Sequence, residues 1–149
     1  MAVAGSPAPL STARRALCVD YALIAAVALV ATWSQNLAYG VGTSTATAFL
    51  RDTTVTPAAR SITADILLLT LAVVVVMVIE ARKHGVRFVW LYVAASLLTA
   101  ISVTFPLFLI ARERRLGAAG TARLRPVDTA LLVVAGAAIL AATVWVDTR

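Results

Sequence analysis

The chain has 149 residues, of which 61% are hydrophobic and only 13% are charged, and its mean hydropathy is +0.93. These values exclude a soluble globular domain, in which about a quarter of the residues carry a charge. The net charge of +6 indicates contact with anionic lipid headgroups. Nucleic acid is not expected as a partner, because the basic residues lie at predicted helix ends in two opposite planes and form no single stripe.

Four apolar segments dominate the sequence: residues 17–40, 61–81, 88–111 and 127–146. Crossing a hydrocarbon core takes ~20 apolar residues at 1.5 Å each, and all four segments meet that length. The sequence therefore predicts an all-α polytopic membrane protein, a bundle of four transmembrane helices in one membrane domain over residues 16–149. Residues 1–15 are expected to form a flexible N-terminal arm.

The connections between these segments are polar and basic. After the first segment, a loop carrying Arg51 leads to the second segment, which places Asp65 in its first turn and continues without a charge to Glu80. A tight basic turn then starts the third segment, where Pro106 is expected to kink the helix. The fourth segment, 127–146, is the least distinctive.

A four-span connectivity places the end of the first helix, the start of the second and the end of the third at one membrane face. Polar residues within a membrane are candidates for function. Asp65 is the expected catalytic residue if the protein is an enzyme. The expected binding residues are Trp33, Asn36, Tyr39, Arg51, Phe105, Phe108, Arg112 and Glu113.

Structural roles are the alternatives for the same residues. Asp65 lies where the helix dipole favours a carboxylate. Trp33 and Tyr39 suit the aromatic belt at the headgroup level, and Asn36 suits a hydrogen bond between helices.

Glu80 and His84 form a second polar pair, four residues apart on one helix face. A surface ion pair is the expected role, because one His with one Glu is below any usual set of metal ligands. Cys18 is the single cysteine, which excludes a multi-cysteine metal site. No metal and no cofactor are therefore expected.

The charges do not orient a four-span chain. Six Lys and Arg residues fall on the face of the two termini and seven on the other, so the positive-inside rule gives no preference. One lysine beside twelve arginines, with abundant alanine and valine, is typical of GC-rich bacterial genomes. The bacterial plasma membrane is the expected location.

Several short motifs occur between Thr32 and Arg115. They are Thr32-Trp33, Asn36-Leu37, Thr63-Ala64-Asp65, Glu80, Trp90, and the run from Ser102 through Pro106-Leu107-Phe108-Leu109 into Arg112-Glu113-Arg114. In these motifs the chain resembles a family of small bacterial membrane proteins known as domain of unknown function 2834. The resemblance implies a compact helical membrane domain and singles out Asp65, Glu80 and Pro106, and it brings no known activity.

Two classes of function fit this sequence. The first is an accessory or assembly subunit or a lipid-binding protein, since no assembled nucleophile, metal set or phosphate loop is visible. The alternative is an enzyme acting on a lipid or isoprenoid, with Asp65 as proton donor in an aromatic-walled pocket that stabilises a carbocation. A proton or cation path is weaker, because no charge lies between Asp65 and Glu80. Alanine-rich helices allow a homo-oligomer or another membrane protein as partner.

Overall fold

The computed structural model describes residues 10–40, 43–116 and 125–148, and within these ranges the fold is all-α. The helices are α1 (Thr12–Tyr39), α2 (Thr43–Asp52), α3 (Pro57–His84), α4 (Val89–Thr99), α5 (Ile101–Leu116) and α6 (Pro126–Asp147). Three of them, α1, α3 and α6, are long and apolar enough to cross a membrane. The predicted all-α class is confirmed, whereas the predicted count of four spans is not.

The first helix begins earlier than the sequence suggested. The hydroxyl oxygen of Ser11 accepts a hydrogen bond from the backbone N–H of Arg14 at 3.4 Å and caps α1, which starts at Thr12. Residues 12–15 of the expected arm are therefore helical. Residues 1–9 of that arm lie outside the described residues.

The expected loop between the first two segments contains α2. The ring of Phe49 packs edge-on against Tyr39 with centroids 5.5 Å apart, and the Tyr39 hydroxyl donates to a carboxylate oxygen of Asp52 at 2.5 Å. Thr56 then caps α3 by accepting from the N–H of Ala59 at 3.0 Å. These contacts hold α2 where α1 ends and α3 begins.

The predicted third span, residues 88–111, is a helical hairpin. The backbone breaks at Ala100, with φ 123° and ψ 151°, and separates α4 from α5. The two helices run antiparallel, so that the rings of Tyr92 and Phe108 meet edge-on with centroids 5.9 Å apart. The chain reverses six residues before the expected kink at Pro106, through which α5 continues. Each hairpin helix is too short to cross the membrane alone.

The core lies between the hairpin and its neighbours. α5 packs against α1, α3 and α4. Buried apolar side chains there form one cluster: Met77, Ala81, Val86, Val89 and Phe108. α6 packs along α1, and the amide of Gln35 donates to the carbonyl of Asp147 at 3.4 Å, so these two helices end together. None of the residues of α6 is buried.

The hairpin decides which helix ends share a face. Five helix ends lie together at one end of the molecule. They are the start of α1, the end of α3, the start of α4, the end of α5 and the start of α6. We call this end of the molecule the arginine face, because it carries Arg14, Arg15, Arg82, Lys83, Arg87, Arg112, Arg114, Arg115 and Arg125. The opposite face holds the end of α1, α2, the start of α3 and the end of α6, and its basic residues within the described ranges are Arg51 and Arg60.

Candidate functional site

Four charged side chains join α1, α3 and α5 at the arginine face, and we call them the ionic cluster. They are Arg14, Glu80, Arg112 and Glu113. Oε2 of Glu113 accepts from Nη1 of Arg14 at 2.5 Å, and Oε1 accepts from Nη1 of Arg112 at 2.9 Å. Nε of Arg112 donates to Oε2 of Glu80 at 2.5 Å. Arg112 therefore bridges the two carboxylates.

The burial of this cluster explains why its charges are paired. Arg14 and Glu113 are each only 4% exposed. A buried charge without a partner loses its hydration and costs several kcal/mol, which pairing and hydrogen bonding offset. Both glutamates also lie near helix C-termini, where the macrodipole disfavours a carboxylate, and Arg112 offsets that effect. Two arginines and two glutamates leave the cluster without net charge.

The predicted pair of Glu80 and His84 is brought together at the edge of the cluster. Nε2 of His84 lies 3.3 Å from Oε2 of Glu80, but the contact lacks hydrogen-bond geometry, and this buried nitrogen has no hydrogen-bond partner among the described residues. Arg112, which hydrogen-bonds to the same oxygen, is the stronger partner of Glu80. Within the described part of the chain, no three His, Cys, Asp or Glu residues are placed to hold a metal ion.

The cluster is suited to holding helices and not to proton transfer. Each glutamate accepts hydrogen bonds from guanidinium groups, which have only donors and keep their protons. The fully buried side chains of Met77 and Phe108 come from the same two helices, α3 and α5. The ionic cluster and the apolar core thus hold the hairpin against α3.

The expected binding residues do not form one site. Trp33, Asn36, Tyr39 and Arg51 lie towards the opposite face and are exposed. Phe105, Phe108, Arg112 and Glu113 belong to α5 and extend to the arginine face. The reversal at Ala100 causes the separation, because it turns α5 back to the side from which α4 started.

Asp65, the expected catalytic residue of the enzyme hypothesis, is exposed on α3. No side chain of residues 10–40, 43–116 or 125–148 forms an ion pair or hydrogen bond with it. It is not at the base of a closed pocket, which the enzyme hypothesis requires.

Sequence reasoning missed Arg14 as a member of the site. Its position before the first apolar segment made it look like a flanking charge of the arm. The available signal was Ser11, a favoured N-cap residue three positions before Arg14, which places this arginine in the first helical turn.

A family model described as "Protein of unknown function DUF2834" matches residues 21–114. The match includes Glu80, Arg112 and Glu113 of the ionic cluster and ends before α6. No curated protein and no solved structure matches the chain. Since the family match covers more than half of the residues and agrees with the motifs noted between Thr32 and Arg115, the chain belongs to the DUF2834 family of proteins of unknown function.

Proposed function

We propose that this protein is a small, non-catalytic membrane protein of the bacterial plasma membrane that binds anionic lipid at its arginine face in an accessory role. The observation that carries the proposal is the charge asymmetry of the fold. Nine basic residues lie at the arginine face and two at the opposite face, counted over the described residues. Seven of the nine lie outside the neutral ionic cluster, and each basic residue near an anionic membrane surface contributes about 1 kcal/mol of attraction.

The same asymmetry supports an orientation in the membrane. The positive-inside rule assigns the arginine-rich end to the cytoplasm, where the leaflet surface is negative. Under this orientation α1 begins on the cytoplasmic side. α4 and α5 then enter the membrane from the cytoplasm and return to it as a re-entrant hairpin.

The exposed apolar surface supports contact with lipid. At the tip of the hairpin, Leu97 is 87% exposed and Leu98 is 77% exposed. Leucines in such positions would be unfavourable in water, whereas acyl chains accommodate them. At the hairpin tip the N–H of Ala100 donates to the carbonyl of Ser96 at 3.1 Å, and the N–H of Thr104 donates to the carbonyl of Ala100 at 3.3 Å. These bonds reduce the number of unpaired backbone groups that the tip would bring into the hydrocarbon region.

The enzyme hypothesis has less support. It requires Asp65 in a closed aromatic pocket, and both Asp65 and Trp33 are exposed. An accessory role requires no such pocket and is compatible with an ionic cluster that only holds helices together. It also leaves α6, which has no buried residue, available for another membrane protein or a second copy.

Native mass spectrometry of the protein released gently from its host membrane tests the proposal. We expect anionic phospholipid to be retained preferentially over zwitterionic phospholipid, in the protein and equally in Asp65→Asn. An isoprenoid bound one per chain and lost in Asp65→Asn would contradict the proposal and favour the enzyme. Retention of both lipid classes in proportion to their abundance would also contradict it.

A further inference from the structure

A basic cavity of about 610 Å³ opens at the arginine face between the turn after α3 and the end of α5. Three arginines from different parts of the chain line it: Arg82, Arg87 and Arg115. Phe88 and Trp90 form its aromatic wall. The volume is in the range of ligand-binding pockets.

The three arginines differ from those of the ionic cluster because their charges are uncompensated. No acidic residue lines the cavity. Nor does any of the three form an ion pair with a side chain in the described ranges. Arg14 and Arg112, by contrast, are each engaged by a glutamate. Converging guanidinium groups without an internal acid are suited to a phosphate, which they bind in bidentate fashion.

The backbone around the cavity is also favourable to an anion. α4 starts after Phe88 without a side-chain cap, so its first N–H groups add positive potential. Gly85 also lines the cavity, and no atom lies within 4 Å of the position that a Cβ would occupy there. The turn therefore leaves open space beside the arginines.

An apolar groove of about 330 Å³ continues from this cavity between α4 and α5. The two cavities share Arg87 and Phe88. Leu91, Ala95 and Leu107 line the groove further along the hairpin, towards its tip. A basic cavity that continues into an apolar groove matches a phospholipid, whose anionic headgroup would bind the cavity and whose acyl chain would bind the groove.

We propose that the basic cavity and the groove together bind one anionic phospholipid. Arg82, Arg87 and Arg115 bind its phosphate, and an acyl chain lies in the groove between α4 and α5. This proposal rests on the proposed lipid-binding function and locates lipid binding at this cavity and groove. Trp90 lies at the mouth, at the membrane interface where tryptophan is enriched.

Trp90 supplies a local probe for the test. Trp33→Phe with Trp145→Phe leaves Trp90 as the single tryptophan. The protein is placed in vesicles that mix phosphatidylglycerol and phosphatidylcholine, with bromine on the acyl chains of one lipid at a time. We expect brominated phosphatidylglycerol to quench Trp90 more strongly than its bulk fraction predicts.

Arg115→Gln and Arg87→Gln are expected to reduce the preference for phosphatidylglycerol by roughly fivefold each, the factor that corresponds to ~1 kcal/mol per basic residue. Arg114→Gln is the matched control, since Arg114 neighbours Arg115 on α5 and does not line the cavity. Arg114→Gln should reduce the preference by less than either of the other two variants, since Arg114 contributes only to the general attraction of the arginine face for anionic lipid. Quenching by brominated phosphatidylcholine in pure phosphatidylcholine vesicles should stay constant and shows that each variant is folded.

The outcomes separate the site from the broader function. Equal losses in Arg114→Gln and Arg115→Gln would overturn the site while leaving lipid binding by the whole arginine face intact. If the single-tryptophan protein with all of its arginines showed no preference for phosphatidylglycerol, both proposals would be overturned. Inorganic phosphate should not reduce the preference, because it has no chain to occupy the groove, and displacement by phosphate would overturn the assignment to a lipid.

Discussion

Glu113, near the end of α5, accepts a hydrogen bond at 2.5 Å from Arg14, which lies 99 residues earlier in the first turn of α1. The pair joins α1 and α5, which share the most extensive packing among the described helices. Because both residues are only 4% exposed, neither side chain can regain water without the helices moving apart. This pair therefore holds α1 and α5 together.

Glu113→Gln should strongly destabilise the protein. The substitution keeps the shape of the side chain but leaves Arg14 and Arg112 without a shared counter-charge, and breaking a buried pair costs about 3–5 kcal/mol. Unfolding in detergent, followed by circular dichroism, measures the loss. Asp52→Asn, at an exposed ion pair with Arg51, keeps a side-chain oxygen that can accept from the Tyr39 hydroxyl and should cost at most about 1 kcal/mol.

A double-mutant cycle tests the coupling of the same pair. Arg14→Gln and Glu113→Gln together should cost less than the sum of the single changes, by about 0.5–3 kcal/mol, since the second change removes a charge that the first left unpaired. Additive losses would contradict a direct role of the pair.

Arg112→Lys should destabilise the protein although the charge is kept. Arg112 donates to Glu80 through Nε and to Glu113 through Nη1, and one lysine ammonium cannot reproduce this planar pair of donors. One lost hydrogen bond to a charged group is worth about 1.5–3 kcal/mol. Arg114→Lys, at an exposed position two residues later, should leave the unfolding free energy unchanged. If Arg112→Lys proved as stable as the parent protein, the bridging role would be contradicted.

The spanning helices could be predicted because each requires about 20 apolar residues, a property that sequence displays directly. The hairpin formed by α4 and α5 could not be predicted from the sequence. Residues 88–111 have the same length and hydrophobicity whether they form one span or two short helices, and the break falls at Ala100, a residue that favours helices. Pro106 was the visible signal of irregular backbone, yet it lies within α5.

The separation of the predicted site residues into two groups follows from that hairpin. A single third span would carry Arg112 and Glu113 to the face of Asp65, whereas the reversal at Ala100 returns them to Glu80. The pair of Glu80 and His84 was predictable because spacing within one helix sets its geometry. Contacts between helices, such as Arg14 with Glu113, depend on topology.

Ala100→Gly should stabilise the protein. The backbone at Ala100, with φ 123° and ψ 151°, lies in a region populated almost only by glycine and costs about 1–3 kcal/mol for other residues. Greater freedom of glycine in the unfolded chain offsets about 0.5–1 kcal/mol, so we expect a net gain near 1 kcal/mol in unfolding free energy. Ala94→Gly, inside α4, should instead lose about 1 kcal/mol. Losses of equal size at both positions would contradict the strain at the hairpin tip.

The sidedness of the hairpin can be read with single cysteines in a Cys18→Ser background, labelled in intact cells by a membrane-impermeant maleimide. Lys83→Cys and Arg114→Cys flank the hairpin and should behave alike, because a re-entrant hairpin starts and ends on the same side of the membrane. Under the proposed orientation that side is cytoplasmic, so both cysteines should be protected until the membrane is permeabilised. Arg60→Cys, at the opposite face, should be labelled from outside. Labelling of Lys83→Cys and Arg114→Cys from different sides would show that residues 88–111 cross the membrane, and labelling of both from outside would reverse the proposed orientation while preserving the hairpin.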